Sequence, residues 1–335
     1  MEGRKLQLAG KSTFLVSLPK RWVTNAGLKA GDTLFVDTEQ DGSVSIRLRS
    51  GMRPVVRRKA FVERGEETRE HLLRKLVGAY VSGFGLVEIR FSANRGAFVR
   101  KVAREFCHLV IGPEVIEENQ TSILIQDLSD PSELSSEKCL RRMHLTVRAM
   151  LEDAIGSLRP GNESLAHDVD QRGQDVDRLY WMVAKQYHLA HSGATDGSGA
   201  PTVHGHRLIA KLLERIGDHA QRIASNGQVL TRERAVDAKM LEQLNAGRTS
   251  AVAVLDKAFN ALVTRNIEAA NSAIDDRVEH QKLIEALSHR VAQRKAPSSL
   301  ALGTIIDSLG RVVVYAAEIA EEAIDLAIYS NPEAT

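Results

Sequence analysis

The second half of the chain has the periodicity of long amphipathic helices, and this half repeats itself. From Asp130 almost to the last residue, apolar residues recur at the 3.6-residue spacing of a helix. Matching segments are offset by 96 to 104 residues, as for Leu151 and Leu255. Pro and Gly breaks divide the region into about six helices. We therefore predict two three-helix repeats in one bundle, at about 136–228 and 237–329.

The first 50 residues have the pattern of short β-strands. Val44, Ile46 and Leu48 alternate with polar residues, and an Asp-Gly pair just before them predicts a hairpin turn. Pro19 opens a short helical segment between the first two strands and the last two. A β-β-α-β-β unit of this size buries little core by itself. We therefore expect a small β-rich domain at 1–50 that dimerises.

The segment 55–130 has a mixed pattern that separates the β-rich start from the helical half. Its predicted strands and helices follow the order β-α-β-α-β-β. This order is typical of an α/β sandwich with its helices on one face of the sheet. The chain is therefore predicted to be multidomain, with this α/β domain as a linker between the β-rich domain and the all-α domain at 132–331.

Composition and charge limit the classes of function that this protein can have. Residues 1–60 hold 12 Lys and Arg against 5 Asp and Glu, a net +7, so the other 275 residues carry −5. A basic head on an acidic body is typical of a module that meets an anion. Two cysteines cannot form a disulfide framework. Because no signal peptide or run of 18 apolar residues is visible, we expect a cytoplasmic protein without membrane insertion.

The helical half resembles the PhoU family of regulators associated with phosphate uptake. The resemblance rests on LRRMHLTVRAMLEDAI at 140–155, QDVDRLYWMVAKQ at 174–186 and LLERIGDHAQRIA at 212–224. The segment 307–325 is similar to the last of these in the second repeat. The resemblance spans roughly 132–331 and implies a sensor or interaction domain in phosphate homeostasis. Its implied partners are a phosphate-transporter ATPase or a histidine kinase.

The N-terminal 50 residues resemble the AbrB/SpoVT-type swapped-hairpin domains, which bind DNA. The resemblance rests on the segment STFLVSLPKRWVTNAGLKAGDTL at 12–34. The resemblance implies that two copies interleave into one barrel and that a basic loop and helix start face double-stranded DNA. Such cations neutralise phosphates, and Arg also reads guanine. The candidate DNA-binding residues are Arg4, Lys5, Lys11, Lys20 and Arg21. The alternative is a domain that only dimerises.

Carboxylates are the candidate metal ligands of the helical half. Glu214 and Asp218 are four residues apart on one helix face, and Asp177 lies on the preceding helix. Their counterparts in the PhoU family resemble ligands of surface iron or zinc clusters, so Fe, Zn or Mg is the implied cofactor. The second repeat offers Asp275 and Glu279. The alternative is that these acids are solvated or paired with nearby arginines.

Each repeat lacks half of this carboxylate pattern. Gly173 stands where a partner for Asp177 is expected, and Gly310 and Val314 replace the Glu214 and Asp218 pair in repeat two. Four histidines around a Gly/Ser-rich loop at 192–201 are a second candidate set of metal ligands, for Zn or Ni. These four are His188, His191, His204 and His206.

No enzyme motif supports a catalytic function: the sequence contains no GxxxxGK, GxGxxG, HExxH or GxSxG pattern. We therefore expect no enzymatic activity; a metal-dependent hydrolase built on the carboxylate helices is the alternative. The main hypothesis is a dimeric, DNA-binding transcriptional regulator of phosphate uptake. The alternative is a PhoU-like interaction protein that does not bind DNA and that negatively regulates a phosphate transporter or a histidine kinase.

Overall fold

The computed structural model divides the chain into two compact units, Met1–Val55 and Val56–Thr335. It describes residues 3–25, 27–38, 44–48, 56–129, 133–191, 200–292 and 298–330. The predicted α/β and all-α domains thus belong to one unit, although each has its own apolar core.

The first unit contains two hairpins separated by a short helix. Strands β1 (Gln7–Ala9) and β2 (Thr13–Leu15) pair antiparallel, helix α1 spans Lys20–Asn25, and β3 (Leu34–Thr38) pairs antiparallel with β4 (Val44–Leu48). The predicted β-β-α-β-β order is therefore confirmed. The predicted Asp-Gly turn lies outside the described residues.

The predicted swapped-hairpin barrel is not formed within one chain. In the part of the unit that the structure describes, the two hairpins are separate two-stranded sheets. Large apolar side chains on these strands are exposed, because two hairpins and one turn and a half of helix cannot enclose a core. A barrel would need strands from another chain, so the interleaved form stays a prediction.

The α/β region forms a four-stranded sheet with the order β5-β6-β8-β7, in which β5 and β6 are parallel and the other neighbours antiparallel. Alternate residues such as Val87, Ile89, Ile123 and Ile125 are buried in one core with the apolar faces of both helices. The helices therefore cover one face of the sheet, as the period-2 pattern indicates. The elements are β5 (Arg58–Val62), α2 (Arg69–Val81), β6 (Leu86–Arg90), α3 (Gly96–Leu109), β7 (Pro113–Glu118) and β8 (Ser122–Asp127).

Six long helices follow, as the periodicity predicts, within the residues that the structure describes. They form one continuous core, in which the third helices of the two repeats, α6 and α9, pack against each other. Repeat one consists of α4 (Ser136–Gly156), α5 (Ser164–His191) and α6 (Ala200–Arg232), and repeat two of α7 (Ala238–Thr264), α8 (Ile267–Ala292) and α9 (Ser298–Ser330).

Residues that match between the repeats have matching environments. Leu151 and Leu255 are both fully buried, as are Leu213 and Leu309. This correspondence agrees with the tandem-repeat interpretation, because equivalent helices bury equivalent positions.

Helix α9 is long and apolar enough to cross a membrane by length and composition, which the sequence analysis did not anticipate. An 18-residue window in it has a mean hydropathy of 1.5, and 56% of that window is buried in the bundle. The helix contacts α6, α7 and α8, so it is apolar on most sides. A core helix of a bundle passes the same test as a membrane span.

Candidate functional site

The structure brings three of the predicted carboxylates together where α5 meets α6. Glu214 and Asp218 lie one turn apart on α6, and Asp177 approaches them from α5. Asp177 and Glu214 are partly buried, whereas Asp218 is exposed. The apolar neighbours Val176, Leu213 and Ile216 are buried in the bundle and hold the two helices in register.

The pKa values of Asp177 and Asp218 reflect their burial and the neighbouring charges of the cluster. The pKa of Asp177 is raised to about 6, mainly by burial and in addition by the charges of Glu214 and Asp218. Although Asp218 is exposed as a residue, partial burial of its carboxyl group raises its pKa, and the charge of Glu214 raises it further. Three like charges in a partly desolvated place disfavour the ionised forms. The cluster therefore attracts protons or cations.

A lysine that the sequence analysis missed supplies that positive charge. Lys211 Nζ lies 2.7 Å from Glu214 Oε2, three residues along α6. Its charge lowers the pKa of both Asp177 and Asp218, opposing the effect of burial. The ammonium also lies 5.0 Å from the centroid of the Tyr180 ring. The signal was present in the sequence, because residues three apart on a helix are neighbours.

Arg215 and Arg222, the arginines of the alternative interpretation, make no ion pair with these acids among the described residues. The Arg215 guanidinium lies 5.7 Å from the ring centroid of Tyr315 on α9. Arg222 acts on Asp218 through its charge, with no ion pair between them in the described part of the chain. The positive charge that offsets these carboxylates thus comes mainly from Lys211.

As placed, these acids do not form a metal site. Among the described residues, no group of three or more His, Cys, Asp or Glu side chains is arranged to hold a metal ion. The Lys211 ammonium already engages Glu214, and a metal would have to compete with this cation. Binding of Fe, Zn or Mg stays a prediction.

Repeat two does not assemble the equivalent cluster. Asp275 and Glu279 on α8 are exposed, and Glu279 Oε1 pairs with Lys282 Nζ at 2.6 Å. Opposite them, Gly310 faces the side chain of Ile284 rather than an acid.

In repeat one, the Gln221 side chain fills the space beside Gly173. A Cβ atom at position 173 would lie 2.3 Å from Gln221 Nε2. The missing halves of the carboxylate pattern are therefore replaced by packing in both repeats.

The predicted DNA-binding residues all lie on the surface of the first unit. Arg4, Lys5, Lys11, Lys20 and Arg21 are exposed. The last two begin helix α1. Beyond the end of that helix, Gly27 and Gly31 adopt positive φ angles of 67° and 98°, which favour glycine. The backbone N–H of Lys29 donates to Asp32 Oδ2 at 2.7 Å, which closes the loop before β3.

The four histidines around the Gly/Ser-rich loop do not share one environment. His206 is buried, and its Nδ1 atom lies 2.8 Å from Ser136 Oγ. His204 is exposed and lies beside Tyr187, 5.6 Å between ring centroids. The side chain of His191 and the loop itself lie outside the described residues. Within the described part, these side chains provide no metal site.

Comparisons with known proteins agree with the helical fold. The family model described as the PhoU domain matches residues 140–226, which lie in repeat one. The crystal structure of PhoU from Pseudomonas aeruginosa is similar with a TM-score of 0.53 and 18% identity, covering 57% of this chain and 94% of that chain.

A second solved structure is the phosphate transport system regulatory protein PhoU from Streptococcus pneumoniae, with a TM-score of 0.49, 20% identity and coverage of 57% of this chain and 92% of that chain. No curated protein sequence matches the chain. None of these matches shows the AbrB/SpoVT-type domain predicted for residues 1–50. Residues 140–226 thus match the PhoU domain, and the helical region shares its fold with PhoU from Pseudomonas aeruginosa.

Proposed function

We propose that this protein is a cytoplasmic regulator of phosphate uptake. It acts by binding a protein component of the phosphate transport system rather than by catalysis. The observation that carries the proposal is the PhoU domain match at residues 140–226, on a body with the PhoU fold. The expected partner is the transporter ATPase or a phosphate-responsive histidine kinase. The effect on the transporter is negative.

Loss of the protein should release phosphate uptake from control. In a strain that lacks the gene, uptake of radiolabelled phosphate in phosphate-rich medium should rise and should return to normal with the wild-type gene. Unchanged uptake would contradict the proposal. Capture of the purified ATPase subunit and of the kinase's cytoplasmic part on the immobilised full chain then identifies the partner.

The carboxylate cluster on α5 and α6 is the candidate contact surface, because it carries partly desolvated charge that the fold does not fully compensate. We expect the triple variant Asp177→Ala/Glu214→Ala/Asp218→Ala to weaken capture of the partner. In the strain that lacks the gene, it should not return phosphate uptake to normal. The double variant Asp275→Ala/Glu279→Ala is the matched control, since those acids follow the same spacing but are exposed, and Glu279 pairs with Lys282. Equal effects of the two variants would exclude a special role for the cluster.

The same variants test the metal prediction. If the cluster holds Fe, Zn or Mg despite Lys211, elemental analysis of the purified full chain should give a stoichiometric metal that the triple variant loses. Retention of the metal by the triple variant would place it elsewhere.

We further propose that the protein binds double-stranded DNA through its first unit. It is supported by the net charge of +7 in residues 1–60 and by the exposure of the five cations in the first unit. Fluorescence anisotropy with fragmented genomic duplex should give a log-log salt slope of several units, which Lys20→Ala/Arg21→Ala flattens. If the wild-type chain fails to bind duplex at low salt, the first unit is a dimerisation module and the regulator acts through proteins alone.

A further inference from the structure

A cavity lies at the end of the helical bundle, away from the carboxylate cluster. It is lined by the start of α4, the end of α7 and parts of α6 and α9, and its volume is about 120 Å³. An apolar cavity of about 150 Å³ is large enough to bind benzene, so this one suits a small ring or chain. The elements around it come from both repeats, so the cavity exists only in the assembled bundle.

The inner part of this cavity is apolar. Leu140 is 2% exposed, Phe259 6% and Leu326 8%, and all three line it. One buried polar side chain joins them: His206 is 6% exposed, and its Nδ1 atom is engaged by Ser136 Oγ. Burial lowers the pKa of His206, so the imidazole is neutral at neutral pH. The interior therefore fits an apolar body.

The mouth of the cavity is cationic. Arg141 from α4 and Arg265 at the end of α7 line it and are exposed. Neither guanidinium makes an ion pair with a described residue, whereas Arg148 farther along α4 pairs with Asp256. Glu137 is the acid in the lining, which leaves one net positive charge among these three side chains.

Arg265 lies at the end of α7 in the left-handed backbone conformation, next to the cavity. Arg265 has a positive φ of 52° at the C-terminal cap of α7, where its backbone N–H donates to Ala261 O. Glycine or asparagine is preferred in this conformation, and another residue costs about 1 kcal/mol. The charge of Arg265 also lowers the pKa of the buried His206, so the guanidinium lies near the interior of the cavity.

We propose that this cavity binds a small amphipathic acid: an apolar chain or ring fills the interior, and its carboxylate or phosphate pairs with Arg141 and Arg265 at the mouth. Guanidinium groups bind such anions through paired hydrogen bonds. The site is separate from the carboxylate cluster, and the inference does not depend on the proposed role in phosphate uptake.

Isothermal titration of the full chain tests the proposal with three probes. Octanoate carries both features of the ligand, octan-1-ol has the apolar chain without the charge, and inorganic phosphate has the charge without the chain. We expect octanoate to bind at least about tenfold more tightly than either of the others, since both halves of the site contribute. Absence of octanoate binding, or equal binding of octanol or phosphate, would overturn the proposal.

The variant Arg265→Gly isolates the guanidinium, because glycine accepts the positive φ and keeps the helix cap. Octanoate binding should fall about tenfold while the thermal unfolding temperature stays equal or rises. Arg234→Gly is the matched control: Arg234 has a φ of 50° just after α6 and does not line the cavity. Unchanged octanoate affinity in Arg265→Gly, or an equal loss in Arg234→Gly, would show that Arg265 does not hold the anion.

Discussion

At the residue scale, Lys185 joins the α/β region to the helical bundle through a buried ion pair. Its ammonium pairs with Asp127 at the end of β8, and the two side chains are 6% and 7% exposed. Ser129 Oγ accepts a hydrogen bond from Lys185 Nζ at 3.0 Å, and the Tyr80 ring centroid lies 4.9 Å away. Removing one partner of such a pair leaves an uncompensated buried charge.

We expect Lys185→Met to lower the free energy of unfolding by about 3–5 kcal/mol. The double variant Lys185→Met/Asp127→Leu should recover most of that loss, since two apolar side chains replace both charges. Urea denaturation of the full chain measures both values. A double variant as unstable as the single one would mean that the pair is not buried as described.

Gly112 is required beside this pair for two reasons. Its φ is +103°, and an added Cβ would lie 2.5 Å from both Asp127 Oδ1 and Ser129 Cβ. Gly65 has a φ of +92° with nothing within 4 Å of its Cβ position. Gly65→Ala should therefore cost only the backbone strain of about 1–2 kcal/mol, and Gly112→Ala distinctly more. Equal losses in urea denaturation would contradict the close approach.

At the element scale, the first two helices of each repeat are joined by an ion pair at equivalent positions with the charges exchanged. Asp153 on α4 pairs with Arg172 on α5, and Lys257 on α7 pairs with Asp276 on α8. In both cases the second repeat is 104 positions later (257 − 153 and 276 − 172). The two helices thus keep an ion pair at the same place in both repeats, although the acid and the base have exchanged helices.

This correspondence predicts a rescue by charge reversal. Asp153→Lys places two cations together and should destabilise the protein by about 0.5–1 kcal/mol, as for partly exposed pairs. Adding Arg172→Asp reproduces the arrangement of repeat two and should restore wild-type stability. A thermal denaturation series in low salt measures the coupling; a double variant less stable than Asp153→Lys alone would contradict the equivalence.

At the scale of the whole molecule, buried histidines make stability depend on pH. Burial lowers the pKa of His144, His206, His219 and His280 below the ordinary value of 6.5. Below that value the unfolded chain binds more protons than the native one, so this contribution to stability is present at higher pH and is lost on acidification. Asp177 opposes the trend, because its raised pKa lets the native state bind a proton first.

We expect the free energy of unfolding to fall between pH 6.5 and 5.5, by at most about 1.4 kcal/mol per pH unit for each histidine. His280→Gln should flatten the dependence, since a buried side chain that bonds Ser250 Oγ is replaced by one that does not titrate. His108→Gln, at an exposed position of α3, is the control. An unchanged slope in His280→Gln would contradict a native pKa below 6.5.

The first unit exposes apolar surface that a second copy of the chain would cover. Phe14 is 64% exposed and Val36 62%, and six further large apolar side chains of the unit are also exposed: Leu6, Leu8, Leu15, Val16, Phe35 and Val44. So many exposed large apolar side chains on such a small unit are typical of an interface. A homodimer through this unit is therefore expected.

Light scattering after size-exclusion chromatography should give a dimer for the full chain and a monomer for Phe14→Asp/Val36→Asp. Val278→Asp, at a 59% exposed apolar position of α8, should leave the dimer intact. If Phe14→Asp/Val36→Asp remains dimeric, the chains associate through another surface.

Most of the elements could be predicted from the sequence. The strands of the first unit, the β-α-β-α-β-β order of the next region and the six helices follow from local periodicity, because a residue's place in a repeat of 2 or 3.6 decides which face it presents. Glu214 and Asp218 on one helix face are a prediction of the same kind. So is the equivalence of Leu151 and Leu255.

The tertiary structure alone decided which distant residues meet. The contact of the Lys211 ammonium with the Tyr180 ring, the buried contact of Lys185 with Asp127, and a cavity lined by Arg141 and Arg265 depend on how whole helices pack. Such contacts join residues on different elements, and packing is determined by the fit of many side chains at once. Periodicity reports the burial of each position but carries no information on its distant neighbours.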